Sequence, residues 1–487
     1  GVTGVQTCAL PIFVAKRCVA GYSRVKLPGK KEQRLLAHCP DPTCPFTHRR
    51  EVIRGEERVR GLPVLETDED LYAFPPDFVI GTVDKVATMA IAPASQALFG
   101  LKAGRRVAPP PALFIQDELH LISGPLGSLD GVFELMLERL CLAGDGGRSP
   151  VYVAATATTR NFGPQIRGLY GREARLVPPS GLDIADSFFS RQDPTRPTRR
   201  YLAVISSGGL PAVEVQLRAL ATLTHFAGVM KSMGAEVDAY WTDVSFFSSR
   251  RVLGMLSSGV DTKLRGIMDR IRLASGSSSG EKIESGQRPL RQYRRPKEIT
   301  ATGSDNVSEV LADLGRSYDD PQVVDFCFAT SMIEVGLDVP RLGLMTVIGQ
   351  PKGSSQYIQV SGRVGRSDKA PALIVDVLNS SSPRDRSHYE SFIGWHERLY
   401  ASVESASVTP FTRQALERSC PTTIAALTQI LEGSNGGSIS DQVRRIWPTL
   451  EGWYCERALQ SGKWEHDTIK RILDNMIPIQ NIFISFT

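Results

Sequence analysis

Short apolar runs alternate with stretches of helical spacing along the first part of the chain. Three runs predict short buried strands, at residues 78–82, 113–116 and 151–155. Helical spacing between them predicts helices over residues 83–99, divided by Pro93, and over residues 132–142. Because strands alternate with helices, the pattern predicts an α/β fold, with a parallel sheet and helices on both of its faces.

A second alternating region follows residues 191–200, a stretch with Arg196, Arg199 and two prolines that we expect to be a linker. Further strands are predicted at residues 237–245, 325–330 and 344–348, and a helix at residues 354–360. From about residue 385 onward the pattern is helical. In open α/β sheets the functional side chains lie beyond the carboxyl ends of the strands, so the residues that follow each strand are the candidates for chemistry.

The composition is that of a globular protein with more than one domain. The chain has 487 residues, 41% of them hydrophobic and 22% charged, and its formal net charge is +5. This mild positive charge is compatible with a basic groove. No apolar run is long enough to span a bilayer and no signal peptide is evident, so we expect a cytoplasmic protein without a membrane segment. Eight cysteines follow no disulfide pattern and are expected to be mostly reduced.

Both ends of the chain have unusual sequences. Residues 1–12 resemble translated sequencing adapter, and we expect an artefact there. Residues 476–487 form an apolar tail without a charged residue, which is either a terminal strand or a frame error.

Two short runs contain the residues with the strongest chemical signal. Asp117, Glu118 and His120 form Asp-Glu-x-His directly after the strand predicted at residues 113–116. Residues 359–366 read Gln-x-x-Gly-Arg-x-Gly-Arg, and they place Arg363 and Arg366 three positions apart, on one face if the segment is helical. The adjacent glycines at 362 and 365 are expected to allow close packing against another lobe.

Two further runs support this pair. Thr156-Ala157-Thr158 follows the strand predicted at residues 151–155. Residues 329–340 read Ala-Thr-Ser-Met-Ile-Glu-Val-Gly-Leu-Asp-Val-Pro and follow another predicted strand. In this order the four runs resemble motifs II, III, V and VI of the superfamily 2 helicases, of the DExH type, and Tyr240-Trp241-Thr242-Asp243 resembles motif IV. The resemblance covers about residues 78–370.

The resemblance implies two RecA-like α/β lobes with ATP bound between them. Asp117 would hold Mg²⁺, Glu118 would activate the attacking water, and His120 would couple the site to the second lobe. From the second lobe, Arg363 and Arg366 would neutralise charge on the transferred phosphoryl group. Three more residues would face the nucleotide: Gly336, Asp338 and Gln359. The alternatives without a catalytic role are an acidic pair that occurs by chance and a surface arginine pair that bridges carboxylates.

The resemblance also implies a path for single-stranded nucleic acid near Thr82, Lys85, Thr330 and Ser331. Thr82 and Asp84 fit equally well as an ordinary helix cap and first turn. The basic residues between 275 and 297, which include Arg288, Arg291 and Arg294, are expected in a solvated loop, with a phosphate-contact surface as the alternative.

Residues 332–366, together with residues 154–161 and Leu169-Tyr170-Gly171-Arg172, resemble one branch of this superfamily, the helicase subunit of the DISARM anti-phage system and related bacterial helicases. This implies ATP-dependent action on DNA, with RNA not excluded, and subunits of a defence complex as partners.

One departure from the family is clear. The chain contains no Gly-x-x-x-x-Gly-Lys-[Ser/Thr], the loop that cradles the phosphates of ATP. We therefore expect a first lobe that is incomplete at its N-terminal side, and weak or undetectable ATP hydrolysis.

A zinc site is a further hypothesis. Cys39 and Cys44 are separated by four residues, and Cys18 and His48 could complete a set of four ligands. Free thiols in a polar insertion are the alternative.

The predicted order is a basic insertion at residues 13–75, the partial first lobe at 76–195, the second lobe at 200–385 and a helical extension at 386–487. Rival functions are a repair or RNA helicase of the same superfamily, a catalytically inactive nucleic-acid-binding scaffold, and a pure interaction subunit. DNA or RNA preference, polarity and partner proteins do not follow from the sequence.

Overall fold

The structure is a computed structural model, and it describes residues 21–26, 33–44, 46–47, 49–53, 56–62, 64–88, 92–156, 162–179, 182, 186, 188–189, 191, 193, 195, 199–206, 209–277, 291–294, 296–300, 307–331, 338–367, 370–404, 407–432, 439–462 and 464–476. Several predictions concern residues outside these ranges, namely those for residues 1–12, Cys18, His48, Ala157, Thr158, Arg196, Arg288 and Gly336 and for most of the apolar tail.

The chain divides into two compact units. Unit 1 comprises Gly1–Thr156, Asn161–Arg175 and Ala406–Thr487, and unit 2 comprises Ala157–Arg160 and Leu176–Ser405. The chain thus leaves unit 1, forms unit 2 and returns to unit 1. The helical extension expected from residue 386 is accordingly divided, with its first part in unit 2 and the remainder in unit 1.

Unit 1 begins with three small antiparallel hairpins, two of them in the stretch expected to be a basic insertion and the third in the expected first lobe. The strands are β1 (Gly21–Lys26) with β2 (Gln33–His38), β3 (Arg49–Ile53) with β4 (Glu56–Arg60), and β5 (Leu101–Lys102) with β6 (Arg105–Arg106). Between them lie α1 (Asp68–Ala73), α2 (Asp84–Thr88) and a 3₁₀ helix (Pro93–Phe99).

The centre of unit 1 is a strand-helix-strand motif. Strand β7 (Leu113–Gln116) pairs in parallel with β8 (Val151–Ala154), and α3 (Gly124–Leu142) makes the crossover. A 3₁₀ turn (Leu119–Leu121) follows β7, and α4 (Phe162–Tyr170) comes after β8. These strands and the long helix confirm the α/β pattern predicted from the sequence.

The apolar run at residues 78–82 is not a strand, so that prediction was wrong. Phe78, Val79 and Ile80 are exposed, with 70%, 47% and 53% of their surface accessible. A strand needs a neighbour with which to exchange backbone hydrogen bonds, and no described strand lies beside this run. Hydrophobicity alone therefore predicted burial that the fold does not provide.

The β7–β8 sheet is covered on one face. Phe114 and Tyr152 stack on each other on the inner side, with their ring centroids 5.5 Å apart. The alternating positions on the outer side are exposed: Leu113, Ile115, Val151 and Val153. Among the described residues of unit 1, the predicted helices on both faces are therefore found on one face only.

The C-terminal helices complete the core of unit 1. Helices α13 (Arg413–Glu432), α14 (Ile439–Gln460) and α15 (His466–Met476) pack with α3. The shared core contains Leu135, Met136 and Leu140 from α3, and Leu416, Ile424, Leu450, Tyr454 and Leu473 from the later helices. Residues more than 250 positions apart thus bury one continuous apolar surface.

Unit 2 is built on a six-stranded sheet that is parallel throughout. Its strands are β9 (Arg199–Ile205), β10 (Asp243–Phe247), β11 (Lys297–Ile299), β12 (Phe326–Ala329), β13 (Leu344–Ile348) and β14 (Ala372–Leu378), in the order β11-β12-β10-β13-β14-β9. Strands β10, β12 and β13 are buried at every position, as expected for central strands of a sheet covered on both faces.

Helices cover both faces of this sheet. They are α5 (Ala212–Ser232), α6 (Asp238–Trp241), α7 (Arg250–Thr262), α8 (Leu264–Ser277), α9 (Val307–Leu314), α10 (Ser354–Ser361), α11 (Pro383–Glu390) and α12 (Phe392–Glu397), followed by a 3₁₀ turn (Leu399–Ser402). Along β12, Cys327 and Ala329 join one core whereas Phe326 and Phe328 join the other. Unit 2 is a RecA-like α/β layer structure, which confirms the predicted fold class.

Two local predictions in unit 2 need correction. Residues 237–245 form α6 followed by β10 rather than a single strand. Arg291 is neither in a solvated loop nor on a phosphate-contact surface: its guanidinium is buried, lies 3.6 Å from the ring centroid of Trp241 and donates to Asp325 Oδ1 at 2.6 Å. Because sequence composition does not distinguish a loop arginine from a core arginine, only the contact with Asp325 reveals this role.

No helix among the described residues is both long enough and apolar enough to cross a membrane.

Candidate functional site

The acidic pair lies where β7 ends. Asp117 and Glu118 follow Gln116, and Glu118 has φ of 51°, in the left-handed region. Its backbone N–H donates to Asp117 Oδ1 at 2.9 Å. The Ala155 N–H donates to the Gln116 carbonyl at 2.8 Å, and the Leu119 N–H donates to the Ala155 carbonyl at 2.9 Å. The backbone therefore turns sharply at Glu118 and is held beside the end of β8.

The third residue of this motif connects the two strands. His120 Nδ1 lies 3.0 Å from Thr156 Oγ1 and 3.5 Å from Glu118 Oε2. The His120 side chain is largely buried, whereas that of Glu118 is exposed. Asp-Glu-x-His and the start of Thr-Ala-Thr are thus in direct contact within unit 1. Ala157 and Thr158 lie outside the described residues.

A glutamine that the sequence reasoning missed supports this turn. The buried Gln165 of α4 donates from Nε2 to the Leu119 carbonyl at 3.0 Å and to the Ile122 carbonyl at 2.9 Å. These carbonyls belong to the 3₁₀ turn that carries His120. A single buried amide thus fixes the segment, and its position in an unremarkable helix gave no sequence signal.

Thr82 and Lys85 lie at the start of α2. The Thr82 carbonyl accepts from the Lys85 N–H at 3.0 Å, and Thr82 is exposed. Lys85 Nζ lies 2.7 Å from Asp68 Oδ2, and this hydrogen bond raises the pKa of the lysine above its ordinary value. Both residues are accessible, and the lysine is already paired with a carboxylate.

The cysteine pair gives no support for zinc. Cys39 is buried and Cys44 half-buried, in a turn where the Cys44 N–H donates to the Asp41 carbonyl at 3.1 Å. In the part of the chain that the structure describes, no group of three or more His, Cys, Asp or Glu side chains could hold a metal ion. Cys18 and His48 lie outside that part.

The motif that resembles motif V follows β12. The Thr330 N–H donates to the Ile299 carbonyl at 3.2 Å, and Ser331 is exposed. Gly336 lies outside the described residues. Asp338 is exposed, and its Oδ1 lies 2.9 Å from Arg366 Nη1. The structure thus joins motif V to motif VI through one ion pair.

The arginine segment is not helical, which corrects the expectation that both arginines share a helix face. Helix α10 ends at Ser361, before Arg363 and Arg366. Gly365 has φ of 69°, and a Cβ there would lie 2.5 Å from Ala372 Cβ. The close packing permitted by Gly365 is therefore directed at β14 of its own unit, not at another lobe. Arg363 and the nearby Gln359 are mostly buried.

Arg199 holds this segment from the neighbouring edge strand. Its Nε donates to the Val364 carbonyl at 3.1 Å, and its Nη2 lies 3.4 Å from the Gly362 carbonyl. The sequence placed Arg199 in a linker, but it begins β9. Both carbonyls belong to residues adjacent to Arg363, so Arg199 fixes the loop that carries the motif.

A carboxylate caps the N-terminus of α10. Both oxygens of Glu404 accept the Ser354 N–H, each at 2.9 Å. The negative charge is favourable at a helix N-terminus, where backbone N–H groups lack intrahelical partners. Since Glu404 lies 50 positions downstream, the sequence offered no local capping signal.

Each unit therefore presents a distinct chemical set. Unit 1 offers an acidic pair with a histidine, at the carboxyl ends of parallel strands. Carboxylates in this position can bind Mg²⁺ and orient water. Unit 2 offers guanidinium groups on a turn held by β9 and β14, and such groups bind phosphate.

The comparison with family models adds evidence from sequence. The helicase conserved C-terminal domain matches residues 304–368, the stretch that contains the motif V and motif VI residues. Together with the RecA-like sheet and the relative described next, this supports the resemblance of the chain to the superfamily 2 helicases.

The chain is 36% identical over 396 residues to the DISARM protein DrmA of Bacillus paralicheniformis. The alignment covers 73% of this chain and 34% of DrmA. The chain thus resembles DrmA and spans about a third of the length of that relative.

Solved helicase structures are also similar. The helicase MrfA, of the DUF1998 group, bound to DNA has a TM-score of 0.49 at 17% identity, covering 79% of this chain and 44% of MrfA. The helicase Lhr of Mycobacterium smegmatis, bound to single-stranded DNA and AMP-PNP, has a TM-score of 0.47 at 16% identity, covering 83% of this chain and 42% of Lhr.

Proposed function

We propose that this chain is the part of an ATP-dependent nucleic-acid helicase or translocase that carries the metal-binding acidic pair and the phosphate-binding arginines. The observation that supports this best is the Arg366–Asp338 ion pair. It joins two runs of sequence that match the helicase conserved C-terminal domain.

In this proposal Asp117 binds Mg²⁺ and Glu118 orients the attacking water. Glu118 is exposed at the end of β7, and its backbone N–H holds the Asp117 carboxylate in place by donating to Asp117 Oδ1. A movement of the acidic pair would be passed through the His120 side chain to Thr156, at the end of β8. Mg²⁺ would supply charge neutralisation at the phosphates when bound with ATP.

Arg363, Arg366, Gln359, Asp338 and Gly336 form the proposed nucleotide-facing set of unit 2. The Asp338 carboxylate neutralises Arg366 and aims its guanidinium while no phosphate is bound. Because both side chains are exposed, a phosphate can replace this carboxylate at little cost.

Nucleic acid is proposed to bind near Thr82, Lys85, Thr330 and Ser331. All four are wholly or partly accessible. Lys85 would exchange Asp68 for a backbone phosphate, and the hydroxyls would donate to phosphate oxygens. DNA is the proposed substrate, and a role in anti-phage defence with partner subunits is proposed from the similarity to DrmA.

The second candidate is a nucleic-acid-binding scaffold without catalytic activity. One observation favours it: the chain has no Gly-x-x-x-x-Gly-Lys-[Ser/Thr]. For the same reason we expect ATP hydrolysis by this chain alone to be weak.

The deciding experiment is the fluorescence anisotropy of labelled single-stranded DNA, with and without Mg²⁺ and a non-hydrolysable ATP analogue. The helicase proposal expects nucleotide to change the affinity for DNA, and expects Arg366→Ala to abolish that change. Arg218→Ala is the matched control, since Arg218 is an exposed arginine of the same unit that is paired with Glu214 at 3.2 Å. Equal DNA binding with and without nucleotide would favour the scaffold, and RNA competitor would test the preference for DNA.

A further inference from the structure

The arginine segment is connected to a buried polar chain that none of the helicase motifs includes. Tyr357 lies on α10, two residues before Gln359. Its hydroxyl lies 2.7 Å from Asp376 Oδ2 on β14 and 2.9 Å from His396 Nε2 on α12. Tyr357 and Asp376 are almost completely buried. Three elements of unit 2 are thus joined through one phenol oxygen.

Aromatic rings pack around the chain, which is fully buried at Tyr357 and Asp376 and partly exposed at His396. The His396 ring centroid lies 4.5 Å from that of Tyr201 and 4.1 Å from that of Phe392. The ring of Trp395 lies 5.0 Å from those of both Tyr357 and His396. In such surroundings a charged group is costly unless it is fully paired.

The number of available protons restricts the arrangement. His396 Nδ1 lies 2.8 Å from the Phe392 carbonyl, which can only accept, so Nδ1 carries a proton. Tyr357 has one hydroxyl proton for two neighbours. Two arrangements therefore make both of its contacts hydrogen bonds. In the first, which is neutral, Asp376 donates to Tyr357 and Tyr357 donates to His396. In the second, a protonated His396 donates to Tyr357 and Tyr357 donates to an ionised Asp376.

The surroundings favour the first, neutral arrangement. Burial raises the pKa of Asp376 to about 7, and burial lowers the pKa of His396 below its ordinary value. Asp376 Oδ1 has no hydrogen-bond partner among the described residues, which disfavours a carboxylate more than a carboxylic acid. Other titratable groups nearby are Tyr201 on β9, Tyr400 in the 3₁₀ turn, and His388 with Asp385 on α11.

We propose that Asp376, Tyr357 and His396 form a neutral hydrogen-bonded chain, with one proton donated at each link, that positions helix α10 and the arginine segment following it. These are positioning residues, since they act through α10. When Asp376 ionises, Tyr357 has two acceptors and one proton, one link is lost, and α10 is held less firmly. The part of this proposal that concerns nucleotide rests on the proposed function.

The test uses the full chain and three variants. Asp376→Asn cannot ionise, and its amide can still donate to Tyr357, so it preserves the neutral chain at every pH. Tyr357→Phe removes both links. Asp269→Asn is the control: Asp269 is an aspartate of the same unit that lies outside every motif, on α8, where it pairs with Arg272 at 3.2 Å.

The first readout is the change that nucleotide causes in DNA anisotropy, measured from about pH 6 to about pH 8.5. The proposal expects this change to fall by about half or more across that range in the wild type, since about 7 is the midpoint of Asp376, and to stay constant in Asp376→Asn. Tyr357→Phe should give a weak response at every pH, and Asp269→Asn should follow the wild type. Identical pH profiles for the wild type and Asp376→Asn would overturn the proposal.

The second readout does not depend on nucleotide. Trp395 fluorescence, taken as the difference between each protein and its Trp395→Phe form, should change with the ionisation of Asp376 in the wild type and not in Asp376→Asn. If nucleotide has no effect on any protein, the helicase proposal fails, and the fluorescence alone decides the hydrogen-bonded chain. A pH-dependent Trp395 signal that persists in Asp376→Asn would overturn it.

Discussion

His120 Nδ1 lies 3.0 Å from the hydroxyl oxygen of Thr156, although 36 positions separate them in the sequence. The contact exists because β7 and β8 are parallel neighbours, so that their carboxyl ends meet at one edge. Side chains from two separate motifs thereby come into direct contact.

The first prediction concerns this contact. Thr156→Val should lower the free energy of unfolding by about 1 kcal/mol, because valine has a similar shape but lacks the partly buried hydroxyl that bonds His120. Thr156→Ser keeps the hydroxyl and should retain most of the bond. Urea denaturation of both variants, with His120→Gln and the double variant, measures the coupling. A Val variant as stable as the wild type would show that the hydroxyl bond to His120 contributes nothing to stability.

The second prediction concerns Gly365. Gly365→Ala should destabilise the protein by about 1–3 kcal/mol, because the residue has positive φ and its new Cβ would lie 2.5 Å from Ala372 Cβ. The control is Gly254→Ala, at a helical position with no atom within 4 Å of an added Cβ, which should stabilise by up to about 1 kcal/mol. Thermal melting distinguishes the two. Equal shifts for both variants would contradict the tight approach at Gly365.

The third prediction separates stability from function at Arg366. The Arg366–Asp338 pair is exposed, so Arg366→Ala should change the free energy of unfolding by less than about 1 kcal/mol. Arg366→Lys should be as stable, yet it should not restore the response to nucleotide, because an ammonium group cannot reproduce the planar guanidinium fork. Denaturation and anisotropy on the same samples provide the comparison. Unfolding of Arg366→Ala would instead assign this residue a structural role.

The fourth prediction concerns the attachment of the C-terminal helices within unit 1. Arg457 of α14 is fully buried, pairs with Glu138 of α3 and lies 3.3 Å from the Leu169 carbonyl. Arg457→Met should cost about 1–3 kcal/mol, because the partly buried Glu138 would lose one of its two guanidinium partners and keep only Arg172 of the two.

The matched double variant Arg457→Met with Glu138→Gln should recover part of that loss, since it leaves no buried charge unpaired. Urea midpoints report both. If the single and double variants are equally unstable, packing rather than charge explains the effect.

The fifth prediction is a pH dependence that originates on α3. Burial raises the pKa of Asp130 and of Glu134 above their ordinary values. The two carboxyl groups lie one helical turn apart, so the charge of Asp130 raises the pKa of Glu134 further. The folded chain therefore keeps protons that the unfolded chain releases above about pH 4. Stability from these groups is complete below that pH and is lost as the pH rises through the raised values.

Glu134→Gln should therefore flatten the fall of unfolding free energy between about pH 5 and about pH 8, by at most about 1.4 kcal/mol per pH unit. Glu173→Gln, at an exposed position of the same unit, is the control and should leave the profile unchanged. Equal slopes for the wild type and Glu134→Gln would mean that Glu134 is already ionised in the folded protein.

Sequence reasoning was most successful where one element contains its own signal. Strands β7 and β13 have the predicted limits, and α10 begins at the predicted residue. It was wrong at residues 78–82, where an apolar run forms no strand, and at Arg363 and Arg366, where the helix has already ended. In both cases long-range contacts decide the outcome. No described strand pairs with residues 78–82, and Ala372 packs closely against Gly365 after the helix has ended.

The supporting residues were the least accessible to sequence reasoning. Gln165, Arg199 and Glu404 each hold a motif by bonding backbone groups 40 or more positions away. Arg291 has the composition of a surface loop and the contacts of a core residue. Nothing in their local sequence distinguishes these side chains from solvent-exposed ones.

By itself the sequence determined the α/β class, the order of the runs that resemble helicase motifs and the residue types proposed for phosphate and metal chemistry, because these depend on local periodicity and on the identity of side chains. Only the tertiary structure decided that His120 meets Thr156, that Arg366 meets Asp338, and that the C-terminal helices complete the core around α3. These contacts join residues far apart in the chain, and their free energy exists only once the strands have aligned and water has been excluded from between them.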